Sequence, residues 1–508
     1  MVGPPPLPVY SGAMDIETIW QAALADQRAG RLVDAASGYR QVLAQAPEHA
    51  GALNFLGIIA IQNGQPQQAA ELLQRALAAR PDVAEYHNNL GLALQRSGRL
   101  DEALPAFERA VALRPGLADA HYNLAVAARA AGQTIRAELA YRAALDHDAR
   151  LASAYIELGA LLQGERRLDD AAAIYRRALA IRDDYAPILS NLALVLHQQG
   201  KLDEAIALAE RAAAVEPGGA ELATNLGILL QERGRLEEAD SAFARAIAAK
   251  PDYAPAQSHA GLLAHERGQT EAAIGHFRKV LALRPDDEDA RYMLAVLTGE
   301  PLTRAPDGYV GRLFDQYAAR FDDHLTGTLG YRAPTDLAEL IAPIDRGRVR
   351  GTVLDIGCGT GLSGLPFRPT ARRLIGIDLS AEMLARARAR DLYDELHRAE
   401  ACAFLAGFAG TIDLAVAADM LVYLGDPAPL LEALAIRMPP GGLVALSIEH
   451  LDTGTFALGS SGRFNHNPDH LTMLAAGCGF ALRAARDSVI RRERRAPADG
   501  SLMVLEKV

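Results

Sequence analysis

Only three cysteines, Cys358, Cys402 and Cys478, occur in 508 residues. They are scattered and odd in number, so they suggest neither a disulfide framework nor a zinc site. They fit a reducing, cytoplasmic compartment. No apolar run approaches the roughly 18–20 residues of a membrane span, and none is expected. Positive charge is also short: 52 Lys and Arg face 63 Asp and Glu, for a formal charge of −11. Duplex nucleic acid needs a basic face for its phosphates and is not expected as the main partner. Met1 to Gly12 is rich in proline and glycine and has no positively charged start, so it does not read as a signal peptide. Residues 1–15 are expected to be a disordered tail, and a chain of this length should hold more than one domain.

What is present falls into two halves. In the first, small residues recur with a period of 34, at Ala23, Gly57, Gly91, Ala125, Gly159, Ala193, Gly227 and Gly261. Twelve positions after each stands an alanine, from Ala35 and Ala69 to Ala239 and Ala273. Glycines such as Gly30, Gly64 and Gly98 separate two apolar-periodic runs within most units, and prolines such as Pro47, Pro81 and Pro115 close them. The pattern resembles tetratricopeptide (TPR) repeats, in which alanines and glycines let paired helices approach closely. One unit cannot bury its own apolar face, so stacking must supply the core. We expect an α-solenoid of eight repeats plus a capping helix over residues 16–298. The unit at 152–185 departs from the pattern, with Arg166 for the turn glycine and Asp183 for the proline, and a bend or looser joint is expected there.

Asn89, Asn123, Asn191 and Asn225 share one repeat position, interrupted by Phe55, Glu157, His259 and Met293. The resemblance implies that this helix lines the concave face of the array. An amide both donates and accepts, so these asparagines are candidate contacts to the backbone of a protein or peptide ligand in the groove. Asparagine is also common at that position in TPR units generally. Self-association into a homo-oligomer is another use for the array.

Residues 299–308 read as a linker by their glycine and proline content. From 309 to 508, strands and helices alternate, with strands expected near 351–356, 373–378, 394–398, 412–418, 442–448, 481–486 and 501–506. The informative motif is Val353-Leu-Asp-Ile-Gly-Cys-Gly-Thr-Gly361, followed by Ile375-Gly-Ile-Asp378. It is a strand ending at an acid, a glycine loop turning toward a helix, and a second strand ending at an acid. A carboxylate at that second tip can hold both ribose hydroxyls of an adenosine cofactor. Dinucleotide folds place a third glycine where Leu362 stands.

The D-x-G-x-G-x-G spacing resembles motif I of class I S-adenosylmethionine (SAM)-dependent methyltransferases. The resemblance implies a Rossmann-like α/β domain with a seven-stranded sheet whose last strand is antiparallel. It implies SAM as cofactor, held by Asp355, Gly357, Gly359, Gly361, Asp378 and Leu379. Met383 is the candidate to pack on adenine, Glu400 and Ala401 to meet its amino group, and Asp419 to lie beside the methyl. The stretch Phe314 to Leu325, with Gly330 to Pro334 and Gly462 to His466, resembles the lid of bacterial TPR-containing methyltransferases, which places Tyr317 over the cofactor. Quinone-type methyltransferases carry a Glu-His pair where this chain has Val422-Tyr423, which counts against a quinol acceptor.

Methyl transfer from a sulfonium is an in-line displacement, so alignment and exclusion of water dominate. A carboxylate acceptor needs no base, whereas a phenol or amine does. His466 is the preferred candidate base, with His324 and His450 considered beside it and Tyr423 and Asp419 as catalytic candidates; Tyr331 is a further closing aromatic. No metal is implied. The leading expectation is a SAM-dependent methyltransferase whose repeats recruit a protein or peptide. The alternatives are a methyltransferase for a small-molecule or carrier-bound carboxylate or hydroxyl, with repeats for assembly, and a non-catalytic scaffold with a SAM-sensing domain. The methyl acceptor itself cannot be read from the residues.

Overall fold

The computed structural model describes residues 15–318, 321–323, 325, 331–459, 461–493 and 496–508. Residues 1–14, which hold most of the expected tail, and His324 lie outside them. The chain divides into two compact units, Met1–Pro251 and Asp252–Val508.

The first unit is seven helix pairs of nearly invariant geometry. Its opening pair, Ile16–Arg28 and Leu32–Gln45, has 13 and 14 residues. The turn between the two helices needs a left-handed residue, and Gly98 supplies it with φ of 76° in the third pair. The repeat at 152–185 keeps the pattern: helices Ala152–Gly164 and Leu168–Ile181 have the same 13 and 14 residues. Arg166 adopts φ of 61° at the turn, so the missing glycine appears as local backbone strain and not as a broken unit. Close approach explains the small residues. A Cβ on Gly91 would stand 2.6 Å from the Phe107 ring.

The asparagines of the first unit are not simply solvated. Asn89 Nδ2 donates to Asn54 Oδ1 at 2.8 Å, Asn123 Nδ2 to Asn88 Oδ1 at 2.9 Å, and Asn225 Nδ2 to Ser190 Oγ at 3.1 Å. Each bond joins one repeat to the one before it. Asn191 shares a hydrogen bond with the Tyr175 hydroxyl.

The second unit opens with the eighth pair, Ala254–Glu266 and Thr270–Leu283, and the helix Glu288–Thr298. The helix Asp307–Tyr317 and the short turn Phe321–Asp323 follow, then the helix Ala333–Asp345 and the sheet. The strands are β1 (Arg350–Ile356), β2 (Ala371–Asp378), β3 (Glu395–Arg398), β4 (Leu414–Ala417), β5 (Leu443–Glu449), β6 (Phe456–Leu458), β7 (Phe464–His466), β8 (Phe480–Glu493) and β9 (Ala496–Lys507). Seven form one sheet in the order β3-β2-β1-β4-β5-β9-β8, while β6 and β7 form a separate hairpin that the sequence reading missed. β1 through β5 pair in parallel, and β9 is antiparallel to both β5 and β8.

Period-two alternation splits the apolar residues between two cores. Val353, Leu374, Leu414, Val416, Leu443 and Ala445 face one side with Leu337 and Ile341. Leu354, Ile375, Ala415, Val444 and Leu446 face the other with Leu405, Leu434 and Leu471. Burial on both faces is why these strands read as continuous apolar runs. One expectation fails. The chain after the glycine loop is turns through Phe367 and then a 3-10 turn at Arg368–Thr370, with no α-helix. Pro366 and Pro369 lack the backbone donors that a helix would need, and Gly364 raises the entropy cost of forming one.

Candidate functional site

Neighbouring strands on either side of β1 belong to opposite crossovers, so a crevice opens at the carboxyl ends of β1 and β4. There lies a cavity of about 480 Å³. Its floor is Ile356 to Thr360, Asp378, Leu379, Ala399 to Cys402 and Ala418 to Met420; its cover includes Val310, Phe314, Tyr317, Phe321, Leu325 and Tyr331.

Asp378 ends β2 and faces this cavity, half-buried. Its Oδ2 accepts from the Gly359 amide at 2.9 Å and its Oδ1 from the Ser380 amide at 2.8 Å. Burial pushes its carboxyl up, against the pull of those amides. The Gly359 bond locks the glycine loop to the tip of β2, and the Ser380 bond fixes the carboxylate over the start of the next helix. A Cβ at Gly359 would stand 3.6 Å from the Phe321 ring, on the line between loop and cover. Glu400 caps the helix Ala401–Gly407 through a 2.8 Å bond from the Ala403 amide, and lines the cavity beside Ala401. Asp419 lines it too, in a left-handed conformation with φ of 57°, its amide donating to Ser447 Oγ at 2.8 Å. Such strain is concentrated at ligand-handling sites.

The family models match over this frame. Residues 329–475 match a methyltransferase domain. Tetratricopeptide repeat models match residues 21–84, 56–118, 88–154 and 224–288, and, in a second form, 149–217 and 184–252. The chain carries tetratricopeptide repeats and a methyltransferase domain. It is similar to the ubiquinone biosynthesis O-methyltransferase of Aromatoleum aromaticum, 37% identical over 100 residues, which are 19% of this chain and 42% of that protein. The trans-aconitate 2-methyltransferase of an Azoarcus species is 35% identical over 136 residues, 26% of this chain and 49% of that one. The chain thus spans about half the length of the curated relatives it matches. Among solved structures, Pseudomonas aeruginosa pilF is 22% identical, with a TM-score of 0.37, covering 42% of this chain and 98% of that one.

Within the methyltransferase domain several expected residues fall away from the cavity. Asp355 is 1% exposed beneath the loop, its Oδ2 accepting from Ser363 Oγ and the Tyr393 hydroxyl, each at 2.7 Å. Its Oδ1 has no partner among the described residues, and burial pushes the carboxyl up to about 6. Gly361 packs against the chain: a Cβ there would meet Tyr393 Cε2 at 3.1 Å and Arg390 Cδ at 3.2 Å. Met383 is fully buried inside its helix, with Leu379, Cys402, Met420 and Leu430 forming the apolar wall in its place. His466 is 1% exposed and does not line the cavity; its Nε2 sits 2.8 Å from the Leu424 carbonyl. An Nε2–H donating there leaves only Nδ1 as a base, and that atom is enclosed. Burial also pulls the pKa of His466 down. His450 likewise points elsewhere, its Nε2 at 2.5 Å from Ser501 Oγ.

The residue that sequence reading passed over is Arg463. It reaches the cavity from the hairpin, with Nη1 at 3.4 Å from Glu449 and 3.9 Å from Asp419, and Nη2 at 3.4 Å from the Tyr423 hydroxyl. Its guanidinium lies 5.7 Å over the Tyr423 ring. The cover is tethered at two points. Asp315 accepts from Ser380 Oγ at 2.5 Å and the Glu382 amide at 3.1 Å, and Asp322 holds Thr360 Oγ1 at 2.5 Å and Arg390.

Proposed function

We propose that the chain is a SAM-dependent methyltransferase whose repeats recruit a protein or peptide substrate or partner. The observation that carries the enzymatic part is the arrangement of Asp378. A half-buried carboxylate, tied to the Gly359 amide of the glycine loop and to the Ser380 amide, faces a cavity at the strand switch point. Its remaining lone pairs suit two ribose hydroxyls. Glu400 and Ala401 border the region suited to adenine, and Gly357 and Gly359 keep the loop free of side chains where the cofactor would pass. When bound, SAM supplies a methyl group on a sulfonium whose departure leaves a neutral thioether.

The chain's own work is orientation and dehydration. Phe314, Tyr317, Phe321 and Tyr331 cover the cavity with rings, and the Asp315 and Asp322 tethers hold that cover against the loop. Asp419 is a carboxylate on the wall able to take a proton from an acceptor hydroxyl or amine, and a carboxylate acceptor would need no base. No histidine stands among the described lining residues.

Titration calorimetry of the full chain should give micromolar SAM affinity, about −8 kcal/mol. Asp378→Asn should weaken it at least tenfold, because an amide cannot accept from the loop and the ribose alike. Tight NAD binding without SAM binding would refute the reading. A second reading, a small-molecule acceptor, is favoured by Arg463 on the cavity wall and by the similarity to ubiquinone biosynthesis and trans-aconitate methyltransferases. Tritiated methyl transfer into host lysate, split into protein and small-molecule fractions, separates the two.

A further inference from the structure

We infer that Tyr292, on the helix that ends the repeats, positions Arg463 at the wall of the methyltransferase cavity. The inference rests on the reading of that cavity as the transfer site. Tyr292 is 1% exposed, and its hydroxyl donates to the carbonyl of Gly462 at 2.7 Å. Gly462 is the residue immediately before Arg463, and it turns with φ of 72°. Its α-carbon faces the terminal helix, since a Cβ there would lie 3.8 Å from both Tyr292 Cε1 and Val296 Cγ2.

The hairpin needs such support. Its strands β6 and β7 have three residues each, joined by Phe456↔His466, Ala457↔Asn465 and Leu458↔Phe464. An isolated hairpin of that length is unstable in water. Among its described residues the turn contributes two internal bonds, Gly459 amide to Arg463 carbonyl at 2.8 Å and Gly462 amide to Gly459 carbonyl at 3.0 Å. The strand β7 is held from outside at His466 and Asn465, by the Leu424 and His450 carbonyls, and the Tyr292 hydroxyl anchors the turn itself at Gly462; leaving that phenol buried without a partner would be costly.

The other wall of Arg463 is held from the same side. Tyr292 packs against Tyr309 with ring centroids 4.7 Å apart and planes tilted by 48°, and shares an apolar cluster with Val296, Leu458, Phe314 and Tyr423. Beyond the terminal helix, the Ala305 amide donates to the Tyr423 carbonyl at 2.9 Å, and the Gly425 and Asp426 amides donate to the Thr303 carbonyl at 2.8 and 2.9 Å. The stretch expected to be a linker therefore braces Tyr423, over whose ring Arg463 lies. The end of the repeats is built into the wall that meets the methyl acceptor, and acceptor binding depends on it where SAM binding does not.

The test uses Tyr292→Phe in the full chain, which keeps the ring and removes one O–H. Arg463 is followed through its side-chain 15Nε signal, assigned with Arg463→Lys, and by the exchange rate of that N–H. The expected result is at least fivefold faster exchange and a shifted, broadened signal, with SAM affinity within twofold of wild type by calorimetry. Val296→Ala is the companion, because it removes packing from the same cluster and no hydrogen bond. It should lower the melting temperature and leave the Arg463 signal in place. An Arg463 signal unmoved by Tyr292→Phe, or moved equally by Val296→Ala, overturns the inference. A wild-type chain that binds no SAM overturns the methyltransferase reading instead, and the Arg463 signal still decides the coupling.

Discussion

Replacing Asn89 by alanine should loosen the joint between the second and third repeats. The Asn89 amide donates to Asn54 Oδ1 at 2.8 Å, and Asn54 is 5% exposed. Truncating Asn89 strands a buried carbonyl oxygen, which costs about 1–3 kcal/mol. Truncating Asn54 leaves the half-buried Asn89 within reach of water, so the bond itself accounts for about 1 kcal/mol there. The double variant should be no worse than the costlier single, giving a coupling of about −1 to −2 kcal/mol in a double-mutant cycle. The only tryptophan provides the readout. Trp20 packs in the first repeat against Tyr39 at 5.5 Å, and against His49 and Phe55 from the second at 4.7 and 5.8 Å. Its fluorescence in urea follows the repeats next to the weakened joint, and repeat arrays lose stability by nearest-neighbour terms. The Trp20 transition should move to lower urea in both singles. Additive effects, or a transition that stays in place, would refute the clamp and return these asparagines to a purely ligand-facing role.

Two further outcomes follow from the methyltransferase domain. Asp355 is held near 6 by burial, against about 3.9 unfolded, so between those values the native chain binds more protons than the unfolded one. The stability it contributes is present below about pH 4 and lost as pH rises through about 6, by up to roughly 3 kcal/mol; calorimetric melting of Asp355→Asn should therefore compare better with wild type at pH 8 than at pH 5, and an equal difference at both would refute the assignment. Gly361→Ala should lower the melting temperature through φ of 90° and its contact with Tyr393 yet change SAM affinity less than threefold, whereas Gly359→Arg should abolish binding by filling the loop. Calorimetry showing equal loss of SAM binding in both would contradict their different placement.

The repeats were legible in the residues because their constraints are local. A turn needs a left-handed residue, and a helix pair needs small side chains where it crosses, so both recur at fixed spacing. The parallel strands were legible because burial on both faces forces short apolar runs ending at a loop. The hairpin of β6 and β7 escaped because three residues carry no period. The helix expected after Gly361 was overruled by Gly364, Pro366 and Pro369, which were visible but were outweighed by the motif.

The site divides in the same way. That Asp378 ends its strand beside the glycine loop was readable from spacing, and it does line the cavity. That Asp355 in the same motif turns under the loop to Ser363 and Tyr393 was not, because that choice is made by residues 8 and 38 positions away. His466 and Arg463 sit three residues apart on one short hairpin, and only the packing sends one inward to the Leu424 carbonyl and the other to the cavity. The 35-residue reach of the asparagine bonds and the 170-residue reach from Tyr292 to Gly462 leave no trace in local pattern. By itself the sequence determined the elements and the loop, since covalent geometry and burial act on neighbours along the chain. The tertiary structure decided which side chains face the cavity, because that depends on partners that meet only when the chain has folded.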